Sequence, residues 1–474
     1  MLNAFDFEAD IPFSSIVGGG AAIQHTASGL PMPERASVSV RPLYGLRDDA
    51  VSIIVTGVSA GDRVTIQSRL VDDAGVEWRA EGSFYADIDG VVDVARNASI
   101  DGTYLGIDQW GLFWSMLPTA RCDLPKYLQR IEQDRSIGLM PVFEDLKPID
   151  YQILAFVGGK QIASAQYRML QIAPNVSFEE VHEEHGVRGI YFQPAGPGPH
   201  PGALIVPGSS GGIEFRAGAL LASRGIATFS MALFNYSDLP PSFNHIPLER
   251  FSRGLRFLRR RLGHGRIGIR GSSKGSEGVI LASIHFRDEV KALVPWVPGF
   301  MATNGRAPDM TANVPLYTID DQPIPYALPS YPSYIDGRAR FNARDPLQLT
   351  PIFMTSWVNP ADLSRYTYQV EKINCPVLCV SGSCDEMWAS AIGAGRICQR
   401  LRAYSHPHEV MHQMNEGAGH GFFLPNEVES LNTFIYHPVA KIWMSMGGAP
   451  SLNAKAARES WTIFTGFLHR HLGA

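Results

Sequence analysis

The segment RIGIRGSSKGSEGVILAS constrains this 474-residue chain more than any other. An apolar run carrying Ile267 and Ile269 leads into Gly271-Ser272-Ser273-Lys274-Gly275, and a helical pattern follows at once. Glycines at −2 and +2 let a strand turn sharply into a helix, so that the serine between them projects its Oγ above a sheet edge. Only Ser273 has glycine at both positions; its neighbour Ser272 does not. The helix that begins there aims free N–H groups and its positive end at the same place. The surrounding texture agrees. ALIVPG, GIATFSMALF, KALVPWV, CPVLCVSG and HEVMHQM read as further strands. In PLERFSRGLRFLRRRLG, the residues Leu248, Phe251, Leu255, Leu258 and Leu262 fall on one helical face. Strands alternating with helices imply a mostly parallel sheet covered on both faces.

Residues 37–175 have a different period. Val64, Ile66 and Leu70 alternate with Thr65, Gln67 and Arg69, as in a half-buried strand. VSIIVTGV, EWRAEGSFYAD, GVVDVA and YQILAFV are further short strands, separated by the turns SAGD, DDAG and IDG. This predicts an immunoglobulin-like β-sandwich domain, with Trp110, Phe113 and Trp114 plugging its core or its interface. Residues 1–36 are rich in Gly, Ala, Ser and Pro and read as an N-terminal extension. Residues 181–474 form the catalytic unit. Within it, 298–361 is dense in Pro, Gly, Asn and Tyr and interrupts the alternation, so a lid-like insertion is expected, with Tyr317, Tyr326, Tyr331 and Tyr334 covering a pocket.

A serine hydroxyl is inert near neutral pH without a base and an acid that orients the base. In a strand–GxSxG–helix architecture these follow in the order serine, acid, histidine. SGSCDEMW puts Asp385 just after an apolar strand, with Glu386 as runner-up, and NEGAGHGF puts His420 in a glycine loop after the last strand. The oxyanion hole needs two convergent backbone donors. The expected ones are the N–H of Lys274 and that of Ser209 or Ser210, in GSSGG after ALIVPG.

Other chemistries are weaker. A net charge of −5 offers no basic field for nucleic acid, and no apolar run approaches the roughly 20 residues of a membrane span. The acidic start MLNAFDFEAD is unlike a signal peptide, so a cytoplasmic location is expected. The five cysteines include no CxxC pair. His408 and His412 match HExxH, but Pro407 and NEGAG leave little room for a helix, and on a strand i and i+4 lie about 13 Å apart. A zinc hydrolase built on them is therefore a remote alternative. Arg253, Arg256, Arg259, Arg260, Arg261 and Arg266 read as a solvated surface, with a phosphate clamp as the alternative. Neither a P-loop nor a Rossmann fingerprint is found, and no metal or organic cofactor is expected.

FYADIDGVVDVA, DGTYLGIDQWGLFWSM, GIATFSMALFNYSDLP, IRGSSKGSEGVILAS, SGSCDEMWAS and EGAGHGF resemble the acyl-CoA thioesterase / bile acid-CoA:amino acid N-acyltransferase family of α/β-hydrolases. The likeness runs from about residue 37 to about 440. It implies a Ser273–Asp385–His420 triad acting on a small-molecule acyl thioester or ester, with an acyl-CoA as the expected substrate. It also implies hydrolysis, because thioesterases of the family carry serine where the amino-acid transferase carries cysteine. Transfer to an amine and carboxyl-ester or lactone hydrolysis on the same triad are the alternatives. Cys384-Asp385 stands where many members have Asp-Asp, and Ser209-Ser210 stands where glycine is common. Acyl length and oligomeric state are left open.

Overall fold

The structure, a computed structural model, describes residues 36–119, 140, 141, 143, 145–307, 312–330 and 341–473. The expected N-terminal extension thus lies outside the described residues apart from Ala36, as do Tyr331 and Tyr334.

The C-terminal half is built on one eight-stranded sheet. Its strands are β1 (Ser177–Glu183), β2 (Val187–Gln193), β3 (Gly202–Val206), β4 (Ala227–Ala232), β5 (Ile267–Ser272), β6 (Ala292–Trp296), β7 (Val377–Gly382) and β8 (Val410–Asn415). Their order across the sheet is β1-β2-β4-β3-β5-β6-β7-β8. The β1–β2 and β2–β4 pairs are antiparallel and the rest are parallel. The central strands β3, β4, β5, β6 and β7 are buried along their whole length because both faces are covered, whereas the edge strands β1 (SFEEVHE) and β8 (VMHQMN) are not. In β3, Leu204 and Val206 join one apolar layer, while Ala203 and Ile205 join the other.

Helix α1 (Phe215–Ser223) and the C-terminal α6 (Pro450–Leu472) cover one face; α2 (Glu249–Leu262), α3 (Lys274–His285) and α5 (Ser390–Ala403) cover the other. On α2, Phe251, Leu255 and Leu258 are buried and Leu262 is half-buried, and the helix ends on Gly263 in the left-handed conformation. The segment 298–361 supplies short strands and the helix α4 (Thr350–Trp357). This mixed sheet with its helical layers is an α/β-hydrolase arrangement.

The N-terminal half contains a sheet of Ser37–Arg41, Ser52–Thr56 and Val92–Asp93. A second sheet is centred on Arg63–Val71, Glu77–Tyr85, Ile149–Val157 and Lys160–Leu170. In Arg63–Val71 the even-numbered positions Val64, Ile66, Ser68 and Leu70 are buried. Residues of both sheets share one apolar core. Into it project Trp110, Phe113 and Trp114, on or beside the turn of helix at Gly111–Trp114; the Phe113 ring meets Tyr151 edge-on at 5.0 Å.

The halves interlock. Arg224 pairs with Asp48 and Asp49, Trp461 Nε1 donates to Asp48, and Arg458 pairs with Asp108. Asn426 Nδ2 donates to the Arg47 carbonyl and Arg47 Nη1 donates back to the Asn426 carbonyl. The Glu429 N–H donates to the Trp114 carbonyl, and Val428 is buried in the N-terminal core.

Candidate active site

Four loops at the carboxyl ends of β3, β5, β7 and β8 converge. Between β5 and α3, Ser273 has φ 53° and ψ −120°. A non-glycine residue there carries about 1–3 kcal/mol of strain, which its surroundings must hold in place. They do so through backbone contact. A Cβ on Gly271 would lie 2.3 Å from the Gly275 carbonyl oxygen, and one on Gly275 would lie 2.3 Å from that of Pro207. The Ser273 N–H donates to the Trp296 carbonyl at 2.9 Å, and Ser276 Oγ donates to the Ser273 carbonyl at 2.6 Å.

Asp385 lies in the turn after β7. Its Oδ1 accepts the N–H groups of Met387 at 3.0 Å and Trp388 at 3.2 Å, and its Oδ2 accepts His420 Nδ1 at 2.8 Å. His420 is 2% exposed, and its N–H is anchored on the Met446 carbonyl. With Nδ1–H given to Asp385, the acceptor lone pair is at Nε2. That atom is buried with no hydrogen-bond partner among the described residues. Ser273 and His420 line one cavity, but Ser273 Oγ makes no hydrogen bond to Nε2 in this structure. The runner-up acid Glu386 is engaged elsewhere, accepting from Ser445 Oγ.

The loop after β3 carries Ser209 and Ser210 past Ser273. Neither the Ser209 nor the Lys274 N–H has an acceptor among the described residues. The carbonyl of Ser210 accepts Asn235 Nδ2. Glu214, at the end of this loop, accepts Ser272 Oγ at 2.8 Å and the buried Arg270 guanidinium, tying the loop to β5. Two partners here were not foreseen. His437 Nε2 lies 2.8 Å from Ser209 Oγ. The Lys274 side chain runs inward to Glu277 at 3.0 Å, to Thr303 Oγ1 and to the Asn304 carbonyl. Burial pushes the Lys274 ammonium below its ordinary range, against the pull of Glu277. Its i,i+3 spacing to Glu277 was a visible signal. His437 had none, being one of fourteen histidines in a segment without periodicity.

Two cavities meet at Ser273, Ser209, Met387 and His437. The first is walled mainly by apolar side chains, among them Phe243, Leu347, Leu349, Phe353 and Trp388. The second is lined by His420, the loop after β3, Glu214, Arg216 and Glu427. For Tyr317 and Tyr326, the two described tyrosines of the four, the expectation fails. Tyr317 is 3% exposed and sits beneath α3, donating from its hydroxyl to the Lys274 carbonyl at 2.9 Å. Tyr326 packs on the main core and lines neither cavity. Tyrosine density did not give side-chain direction. The insertion instead lines the first cavity through Asn304, Arg306 and the stretch around α4.

His412 lies on strand β8, where its Nε2 meets Ser381 Oγ, and His408 meets Asn374 Oδ1. Among the described residues no group of three or more His, Cys, Asp or Glu is placed to hold a metal. On α2, Arg256 pairs with Glu289, Arg260 with Glu183 and Arg261 with Glu179, so these three serve the surface rather than a phosphate clamp. No helix of the described residues is long and apolar enough to cross a membrane.

The chain matches the family described as Acyl-CoA thioester hydrolase/BAAT N-terminal region over residues 48–183, and BAAT / Acyl-CoA thioester hydrolase C terminal over residues 246–474. It is 29% identical over 443 residues to mouse (Mus musculus) bile acid-CoA:amino acid N-acyltransferase, covering 92% of this chain and 98% of the relative. It is 28% identical over 447 residues to mouse mitochondrial acyl-coenzyme A thioesterase 2, covering 93% and 90%. Among solved structures it resembles the α/β hydrolase GrgF from Penicillium sp. sh18, with TM-score 0.37 and 14% identity over 63% of this chain and 99% of that one.

Proposed function

The chain belongs to the acyl-CoA thioester hydrolase/BAAT family, and we propose that within it the protein is a serine hydrolase that cleaves an acyl thioester through Ser273, His420 and Asp385. The observation that carries this reading is the Asp385–His420 hydrogen bond, which leaves Nε2 open beside a cavity that the strained Ser273 also lines. Ser273 Oγ attacks the thioester carbonyl as Nε2 takes its proton. The N–H groups of Lys274 and of Ser209 or Ser210 hold the oxyanion. His420 returns the proton to the departing sulfur, then draws one from a water that attacks the acyl-serine. The apolar cavity takes the acyl group and is bounded by the 298–361 insertion. The more polar cavity takes the thiol and afterwards the water. The N-terminal half is an immunoglobulin-like sandwich in this reading, supported by two sheets sharing one core.

Serine at the nucleophile position favours water over an amine as acceptor. Hydrolysis of a set of straight-chain acyl-CoA thioesters, with and without added glycine or taurine, tests both points. Ser273→Ala should remove thiol release and fluorophosphonate labelling. Equal rates for the two proteins would refute the assignment, and acyl-amino acid as main product would replace hydrolysis by transfer.

A further inference from the structure

We infer that the side-chain hydroxyl of Ser209 is a third donor to the oxyanion and that His437 is the positioning residue that aims it, an inference that rests on the serine-hydrolase reading above. The argument is a count of protons. His437 is 3% exposed. Its Nδ1 accepts the backbone N–H groups of Val439 at 3.3 Å and Ala440 at 3.0 Å. A nitrogen that accepts carries a lone pair, so the single proton of the neutral ring is on Nε2. Nε2–H then donates to Ser209 Oγ at 2.8 Å. Burial, helped by the charge of Lys441, holds the ring's pKa down to about 4, so it stays neutral at ordinary pH.

A serine hydroxyl has one hydrogen and two lone pairs. With one lone pair taken by Nε2–H, the hydrogen of Ser209 is turned away from His437. It has no acceptor among the described residues. Ser209 lines both cavities together with Ser273. The preceding residue touches the nucleophile: a Cβ on Gly208 would lie 3.0 Å from Ser273 Cβ and 3.7 Å from its Oγ. The loop is held by the Gly211 N–H on the Gly208 carbonyl and the Gly212 N–H on that of Phe234. His437 is held by its own N–H on the Ile442 carbonyl and by Lys441 N–H on its carbonyl. An O–H dipole kept from turning toward His437 needs little reorganisation when negative charge develops on the thioester oxygen, and its hydrogen bond strengthens as that charge grows.

The test uses decanoyl-CoA and p-nitrophenyl butyrate with the parent, Ser209→Ala, Ser209→Thr, His437→Phe, the double variant and Ser273→Ala. Ser209→Ala should lower kcat about 100-fold, with KM within about threefold, because the lost bond forms only in the transition state. Ser209→Thr keeps the hydroxyl and should stay within about tenfold of the parent kcat. His437→Phe should lower kcat about tenfold and add little to Ser209→Ala, since both act on one bond. If His437→Phe does not fold, His437→Gln, whose amide can donate to Ser209, should keep kcat near the parent, and a large loss there overturns the role of His437. A parental kcat for Ser209→Ala, or a change confined to KM, overturns the inference while an inactive Ser273→Ala leaves the hydrolase reading standing. An active Ser273→Ala overturns that reading itself.

Discussion

Replacing Asp385 by asparagine changes one atom and keeps the shape, yet the hydrogen bonds around it dictate how the new side chain must sit. Oδ1 accepts two backbone N–H groups, those of Met387 and Trp388. An amide NH₂ cannot accept them, so the asparagine oxygen must take that place and its NH₂ must face His420 Nδ1. Nδ1 then has to offer a lone pair, and the ring proton moves to Nε2, the atom that should receive the proton of Ser273. The base is occupied before the reaction starts. Locking the wrong tautomer in this way lowers kcat about 10⁴-fold, or about 5 kcal/mol of barrier. Colorimetric detection of thiol released from decanoyl-CoA reads the effect, and a thermal melt close to the parent's excludes misfolding as its cause. A kcat within tenfold of the parent, in a variant that melts normally, would refute the orienting role of Asp385.

Three further outcomes follow from the packing. Gly275→Ala puts a methyl 2.3 Å from the Pro207 carbonyl oxygen, so β3 and α3 must separate; urea unfolding should show a loss of about 1–3 kcal/mol, and an unchanged midpoint would contradict the contact. Glu277→Gln removes the carboxylate from the buried Lys274 ammonium and should cost about 3–5 kcal/mol in the same assay, whereas a loss below 1 kcal/mol would mean that the ammonium is relieved in another way. His437 titrates near 4 when folded against an ordinary 6.5, so between these values the unfolded chain binds a proton that the folded one does not. Stability from this group is therefore intact above about pH 6.5 and falls by about 3 kcal/mol as pH drops through 4; His437→Gln should flatten this part of the profile, and superimposable curves would sink the assignment.

The C-terminal half was readable because its central strands and turns lie where local sequence controls geometry. Gly271 and Gly275 announce the turn at Ser273, and the apolar run before Asp385 marks a strand that ends beside it. The alternation of Val64, Ile66 and Leu70 marks a strand with one buried face. The stripe from Leu248 to Leu258 gave the buried side of α2. Period and turn chemistry are properties of a few consecutive residues, so they survive without knowledge of the tertiary fold. His437 and Ser209 are separated by 228 positions, and their contact depends on how the segment 434–445 folds over the sheet edge. The same limit applies to Tyr317, whose composition-rich surroundings gave no direction and which points under the nucleophile helix.

Arg47, Trp114 and the core around Val428 grip the stretch just after His420. The histidine proposed as general base is thus moored, from one side, to the half of the molecule that holds none of the proposed triad. An excised α/β half would keep Ser273 and the loop after β3 but lose the clasp on the stretch that follows His420. Shortening the protein from the β-rich end would remove packing that borders the loop of His420.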